Sequence, residues 1–234
     1  MKNLLIITGA SRGIGAAIAE YFLNQQWQVI NLSRSTSPNA QVQSIEVDFS
    51  DLTLLEEKLS ALKEQLQQAD KICLVHNAAR LTSDTIQDIP TSSFEETLTV
   101  NLLAPNLLNQ KIIPHMKKGS SIVYIGSTVS EMAVPNIASY VISKHALVGM
   151  MRATCQDLHA KEIHTACICP GFTDTEMLRQ YIGDDRAKRA TLEKRNIGQR
   201  LIHPTEIASV AWFCANNPVI NGTVIHANLG QTQE

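Results

Sequence analysis

No stretch of this 234-residue chain approaches the about twenty consecutive apolar residues of a membrane span. Its first apolar run, residues 4–7, is too short for the core of a signal peptide. That run is expected to be a buried first strand, and the protein is expected in the cytoplasm, off the membrane. An excess of charge of one sign is also missing. The 20 Lys+Arg and 22 Asp+Glu leave a net charge of -2, so there is no basic field to hold nucleic acid or an anionic membrane surface. A small or weakly charged partner fits better. The five cysteines (Cys73, Cys155, Cys167, Cys169, Cys214) are odd in number and contain no Cys-x-x-Cys, which argues against a disulfide framework or a zinc site. Cys167 and Cys169 alternate on one strand face and read as ordinary buried thiols. None of the seven histidines has the spacing of a metal-binding pair, so no metal is expected. There is no internal repeat, low-complexity tract or Pro/Gly-rich linker to divide the chain, and a single domain over residues 1–234 is expected.

What is present is an alternation. Short runs rich in Ile and Val, at 4–8, 29–32, 44–47, 72–75, 121–126, 164–169 and 223–226, are separated by helical periodicity at 14–24, 52–66, 92–110, 137–158 and 204–215. Few of the runs alternate polar with apolar residues, as befits strands covered on both faces. The expected fold is α/β: one doubly wound domain with a central parallel sheet of about seven strands and helices on both faces. Residues 171–200, dense in charge and turn formers, are expected to be a mobile segment over a substrate site.

The first strand runs into TGASRGIGAAIAE, with glycines at 9, 13 and 15 and a helix opening at Ile14. Gly9 permits a sharp turn, while Gly13 and Gly15 let backbone and helix approach a ligand with no Cβ in the way. The N–H groups of the new helix then face an anion, favoured by the helix dipole, and a diphosphate is the natural guest. The plainer reading is a turn and nothing more. About twenty residues on, where an acid usually holds a free ribose 2′-hydroxyl, residues 31–35 have none. Arg34 stands there, with Ser33 beside it and Arg12 in the glycine loop. Guanidinium groups suit a 2′-phosphate, so NADP(H) is expected over NAD(H), unless both arginines are simply solvated.

The stretch ASYVISKHALVG places Tyr140 and Lys144 four residues apart in a helical run, one above the other on the same face. With TGASRGIG, HNAA at 76–79, Asn101 in LTVNL, Ser127 in YIGS, YVISK at 140–144 and PGFTDTEM at 170–177, the chain resembles the short-chain dehydrogenase/reductase family over nearly its whole length. The order of the six motifs and the gap of thirteen from Ser127 to Tyr140 carry the resemblance. PGFTDTEM and GQRLIHPTEIASVAWF look like the bacterial 3-oxoacyl-[acyl-carrier-protein] reductase type. Three places depart from the family pattern: His76 where Asn is usual, Ala79 for a Gly, and HANLGQ at the end in place of a Gly pair.

The resemblance implies a Rossmann fold and an NADPH-dependent reductase turning a ketone or aldehyde into an alcohol. Tyr140 would be the proton donor and Lys144 the cation that lowers its pKa and binds the nicotinamide ribose. Ser127 would hold the substrate oxygen, and Asn101 a water relaying protons to Lys144. It further implies cofactor contacts from Gly9, Ser11, Arg12, Ile14, Gly15 and Arg34 at the phosphates, Asp48 and Phe49 near adenine, Asn77 and Ala78 near ribose, and Thr175 after the Pro-Gly turn. Each has a plainer alternative: Asp48, Ser50 or Asp51 could cap a helix, Thr175 could simply start one, and Asn101 could be a buried residue bending one. The expected partners are a small carbonyl or alcohol substrate, a carrier-bound acyl group among the candidates, and a second copy of the chain in a homodimer or homotetramer. The basic residues Arg179, Arg186, Lys188, Arg189, Lys194, Arg195 and Arg200 would welcome an anionic carrier or form a solvated face. The other functions weighed are a dinucleotide sensor without catalysis, which has no reason to keep a proton donor, and an NAD-linked alcohol dehydrogenase.

Overall fold

The computed structural model describes residues 2–183 and 185–232. Seven strands, β1 (Asn3–Thr8), β2 (Gln28–Ser33), β3 (Gln43–Glu46), β4 (Lys71–His76), β5 (Ser121–Ile125), β6 (His164–Pro170) and β7 (Thr223–Ala227), form one sheet in the order β3-β2-β1-β4-β5-β6-β7. Every pairing is parallel. The chain leaves β1 to one side for β2 and β3, then crosses back to build β4 to β7 on the other. The strand order therefore reverses between β1 and β4, and the crevice at the carboxyl ends of these two strands is where such sheets hold ligands.

Nine helices cover the sheet among the described residues: α1 (Gly13–Asn24), α2 (Leu52–Ser60), α3 (Lys63–Gln68), α4 (Thr91–Leu98), α5 (Ala104–Ile112), α6 (Ala138–Asp157), α7 (Glu176–Ile182), α8 (Arg186–Lys194) and α9 (Pro204–Asn216). Alternate residues of each strand enter opposite cores. Leu4 and Ile6 of β1 join Leu74, Ile122, Leu108 and Met151 under α5 and α6, while Leu5 and Ile7 join Ile18, Phe22, Val75 and Ala211 under α1 and α9. Both faces are apolar for that reason, which is why the strand sequences show continuous apolar runs rather than alternation.

All seven expected strands are present, and the helices differ instructively. The run expected as one helix over 52–66 is two, because Ala61 N and Leu62 N bond back three residues, to Lys58 O and Leu59 O, and this tighter turn separates α2 from α3. The expected helix over 92–110 contains a π-helical turn, Thr99–Leu103, between α4 and α5. Residues 171–200 are not irregular: they hold α7 and α8. Of the two, α7 is only seven residues long, and α8, RAKRATLEK, buries no side chain and so shows no apolar face in the sequence.

Candidate active site

The glycine loop leaves β1 with positive φ at Gly9 (73°) and Gly13 (56°). No side chain caps the N-terminus of α1, so its first N–H groups stay free for an anion. Gly15 is needed by the protein itself: a Cβ there would lie 2.2 Å from Gly9 O and 2.5 Å from Asn77 Nδ2. Neighbouring strand ends hold the loop in shape. Asn77 Nδ2 donates to Thr8 O (2.9 Å) and Gly9 O (3.1 Å), Thr8 Oγ1 accepts from the N–H groups of Asn77 and Ala78 (both 2.9 Å), and Asn31 Oδ1 accepts from Ala10 N (2.8 Å). Thr8 and Asn31 were missed from sequence. The available signal was a polar residue inside an otherwise apolar strand, and Asn31 is fully buried.

Ser11 is half-buried in this loop, with Ile14 beside it in α1, while Arg12 and Arg34 are exposed. Neither arginine has an ion-pair partner among the described residues. Thr175 does two things: Oγ1 accepts from Leu178 N at 3.3 Å and so starts α7, while its methyl group faces Gly13, where a Cβ would approach within 3.2 Å. Asp48 Oδ1 accepts from Ser50 N (3.0 Å) and Ser50 Oγ (2.9 Å), and these bonds with the nearby Arg34 charge keep its pKa below the usual carboxylate value. The cap of α2 is Asp51, which accepts from Leu54 N at 2.9 Å, so Asp48 is not spent on that role. The Phe49 ring lies in the core.

On the far side of the crevice, Ser127 lies two residues past the end of β5. Its hydroxyl accepts from Val129 N at 3.3 Å, and Ser130 Oγ accepts from Ser127 N at 3.1 Å, so a short turn fixes its place. Tyr140, third residue of α6, is buried among Val129, Ile137, Ala79, Leu81 and Val134. Burial pushes its phenol up to about 12, partly opposed by the nearby Ser127 hydroxyl. Lys144 is also buried; its Nζ donates to Ile125 O at 2.7 Å and lies 5.5 Å from the centre of the Tyr140 ring. Burial lowers its pKa to about 8. The phenol is thus raised rather than lowered as expected, because burial of the phenolate dominates and the ammonium sits over the ring and bonds a carbonyl rather than the phenol oxygen. An ammonium has three donors, and one is used.

Asn101 lies in the π turn, 3% exposed. Its Oδ1 accepts from Arg80 N (2.8 Å), and its Nδ2 donates to Arg80 O (3.0 Å) and Ser143 Oγ (2.8 Å). The carboxamide is a clamp between the segment after β4 and the helix of Tyr140. These three hydrogen bonds are all made by the side chain, from within a π-helical turn.

Comparisons with known proteins agree with this geometry. A family model described as "Enoyl-(Acyl carrier protein) reductase" matches residues 9–232. The 3-oxoacyl-[acyl-carrier-protein] reductase FabG of Vibrio harveyi is 26% identical over 240 residues, covering 97% of this chain and 96% of that protein. Among solved structures, a short chain dehydrogenase family protein of Francisella tularensis superposes with a TM-score of 0.87 at 25% identity, covering 98% of each chain. Thermoplasma acidophilum aldohexose dehydrogenase does so with a TM-score of 0.89 at 27% identity, covering 100% of this chain and 98% of the other. The chain belongs to the short-chain dehydrogenase/reductase family. As a member it is an NAD(P)-dependent oxidoreductase with a single Rossmann domain. Its residues fit a dinucleotide: the helix end is uncapped, and the cradle at Gly9 and Gly13 is one that a Cβ would fill.

The three departures from the family pattern turn away from the crevice or pack its walls. His76 points beneath α5, where its Nε2 meets Asn109 Oδ1 at 2.9 Å and its ring lies 4.8 Å from that of Tyr124. Burial lowers its pKa to about 4. Ala79 packs beside Tyr140. The terminal HANLGQ closes on the Pro-Gly turn: Gly171 N donates to Ala227 O (3.1 Å) and Ile197 N to Leu229 O (2.9 Å), which ties the 171–200 segment to the last residue of β7 and to the chain just after it. In that segment Arg179 and Arg189 pair with Asp174, and Arg200 with Glu206. Among the described residues no helix is long and apolar enough to cross a membrane.

Proposed function

We propose that the protein is an NADPH-dependent carbonyl reductase with Tyr140 as the proton donor. The observation that carries the reading is the meeting of Ser127, Tyr140 and Lys144 at the carboxyl edge of the sheet, facing an uncapped helix N-terminus across the crevice. The dinucleotide, when bound, supplies the hydride. The protein does the rest. Ser127 orients the carbonyl oxygen with a hydrogen bond that strengthens as negative charge develops there. A phenol pushed up to about 12 keeps its proton at neutral pH, so Tyr140 is loaded as the acid and donates from its hydroxyl to that oxygen. Lys144, lowered to about 8, is acidic enough to restore the proton.

Arg12 and Arg34, exposed and without ion-pair partners among the described residues, are assigned to the 2′-phosphate, Asp48 and Phe49 to adenine, Asn77 and Ala78 to ribose, and Thr175, beside Gly13, to a further cofactor contact after the Pro-Gly turn. The substrate is a ketone or aldehyde, with carrier-bound acyl thioesters first in the screen because the Vibrio relative bears that activity in its name. The test is oxidation of NADPH by ketone, acyl-thioester and pteridine panels with wild type and Tyr140→Phe. General-acid loss is expected to cut turnover by about 10²–10⁴ while NADPH binding persists. Undiminished turnover in the variant would overturn the assignment.

A further inference from the structure

The first turn of α6 has no cap of its own. Ile137, at the N-cap position, offers no side-chain acceptor, and a helix that opens this way leaves N–H groups to be satisfied from elsewhere. The partner comes from 55 residues earlier in the chain. Asp84 Oδ1 accepts from Ser139 N at 3.0 Å, and Asp84 Oδ2 accepts from the Ser139 hydroxyl and, at 3.1 Å, from the Thr82 hydroxyl. The main chain adds two bonds, Asp84 N to Asn136 O (3.0 Å) and Ala138 N to Asp84 O (3.3 Å). Ser139 is fully buried, and the next residue is Tyr140.

Residues 80–84 form a strap held at both ends. Asn101 grips the N–H and carbonyl of Arg80 and also the Ser143 hydroxyl, while Asp84 grips the first turn of α6. Between the two grips Leu81 packs against the apolar cluster that contains Tyr140. Resting on the reading of Tyr140 as proton donor, we infer that Asp84 is a positioning residue: its carboxylate fixes the first turn of α6, so that the phenol is held against Ser127 and the substrate oxygen. A carboxylate suits the task for two reasons. Negative charge is favoured at a helix N-terminus, and only a carboxylate accepts at both oxygens at once; an amide would turn a second donor toward two hydroxyls. Burial alone would raise its pKa, but the hydrogen bonds from Ser139, Thr82 and Ala138 bring it below the usual value, so it is charged at neutral pH.

The test uses the full chain with Asp84→Asn, and with Ser139→Ala, which keeps the backbone N–H and so carries the decision if the first variant does not fold. The activity-independent readout is the titration of Tyr140, followed by NMR of Cζ-labelled tyrosine with Tyr140→Phe to assign the signal. Loosening the turn exposes the phenol to water, which lowers its pKa, so the signal should begin to titrate about one unit earlier in Asp84→Asn and less in Ser139→Ala. Lys144 and Cys169, the other groups that face the phenol, are unchanged. Turnover should fall about tenfold with the KM for NADPH held within about twofold, the mark of misplacement rather than unfolding. A folded Asp84→Asn with an unmoved Tyr140 titration overturns the inference, and so does an equal loss of NADPH affinity and turnover. If the wild type reduces no carbonyl, the proposed function fails on its own, and the titration still decides the role of Asp84.

Discussion

His76 should make the protein sensitive to mild acid in a way that can be measured directly. The ring is buried beneath α5 and uses Nε2 toward Asn109, while Nδ1 has no partner, so a second proton would place an unsolvated cation in the core. Its pKa is about 4 in the fold, against 6.5 for an ordinary histidine. A histidine held below its unfolded value contributes stability that is fully present above pH 6.5 and is lost as pH falls toward 4, because the unfolded chain takes up the proton first. Between about pH 7 and pH 5 that linkage amounts to about 2 kcal/mol. The assay is urea unfolding at both pH values for the wild type and for His76→Asn, the residue usual in the family at this place. His164, also lowered by burial, and the carboxylates are common to both proteins and cancel in the difference. The wild type should therefore lose about 2 kcal/mol more than the variant on acidification. Parallel losses would mean that the ring is not kept neutral by its surroundings.

Two substitutions at the cofactor end separate packing from recognition. Gly15→Ala should lower stability by about 1–3 kcal/mol and abolish NADPH binding by fluorescence titration, because its Cβ would overlap the Gly9 carbonyl and only a shift of the loop relieves it; normal binding would show that the loop gives way freely. Arg34→Asp should weaken NADPH about 10–100-fold and leave NADH nearly unchanged, since it sets an anion against the 2′-phosphate. An equal loss for both nucleotides would make Arg34 a structural residue.

The parts of the fold and site that were legible in the sequence are those whose causes are local. A strand buried on both faces must be apolar throughout, a tight turn at an uncapped helix needs glycine, and a four-residue spacing fixes Tyr140 over Lys144, so these features can be read in order along the chain. The features that were missed depend on contacts between distant residues. The π turn at 99–103 is held by a carboxamide reaching back to Arg80, the cap of α6 comes from Asp84, and the glycine loop is braced by Asn31 and Thr8 from two strand ends. Each is a lone polar side chain within a segment whose periodicity says nothing about its partner. Helix α8 escaped for the opposite reason: charge covers it, and the apolar stripe that would mark it is absent.

The same burial that hides these contacts also sets the chemistry on the proposed mechanism. An acid and a base removed from water shift in opposite directions, so the phenol of Tyr140 rises to about 12 while the ammonium of Lys144 falls to about 8. The ordinary difference between the two groups is small, about 10 for tyrosine against 10.4 for lysine, and burial turns it into a wide gap in which the ammonium is the stronger acid. A phenolate left after proton donation is then the stronger base of the pair, and transfer from Lys144 to Tyr140 runs downhill. A pair at the surface would have no such bias, since water would hold both groups near their ordinary values. The Ile125 carbonyl accepts one hydrogen bond from the ammonium and offsets part of the cost of burying it, while the two donors left over are the ones a bound ribose and the phenolate would take up on this mechanism.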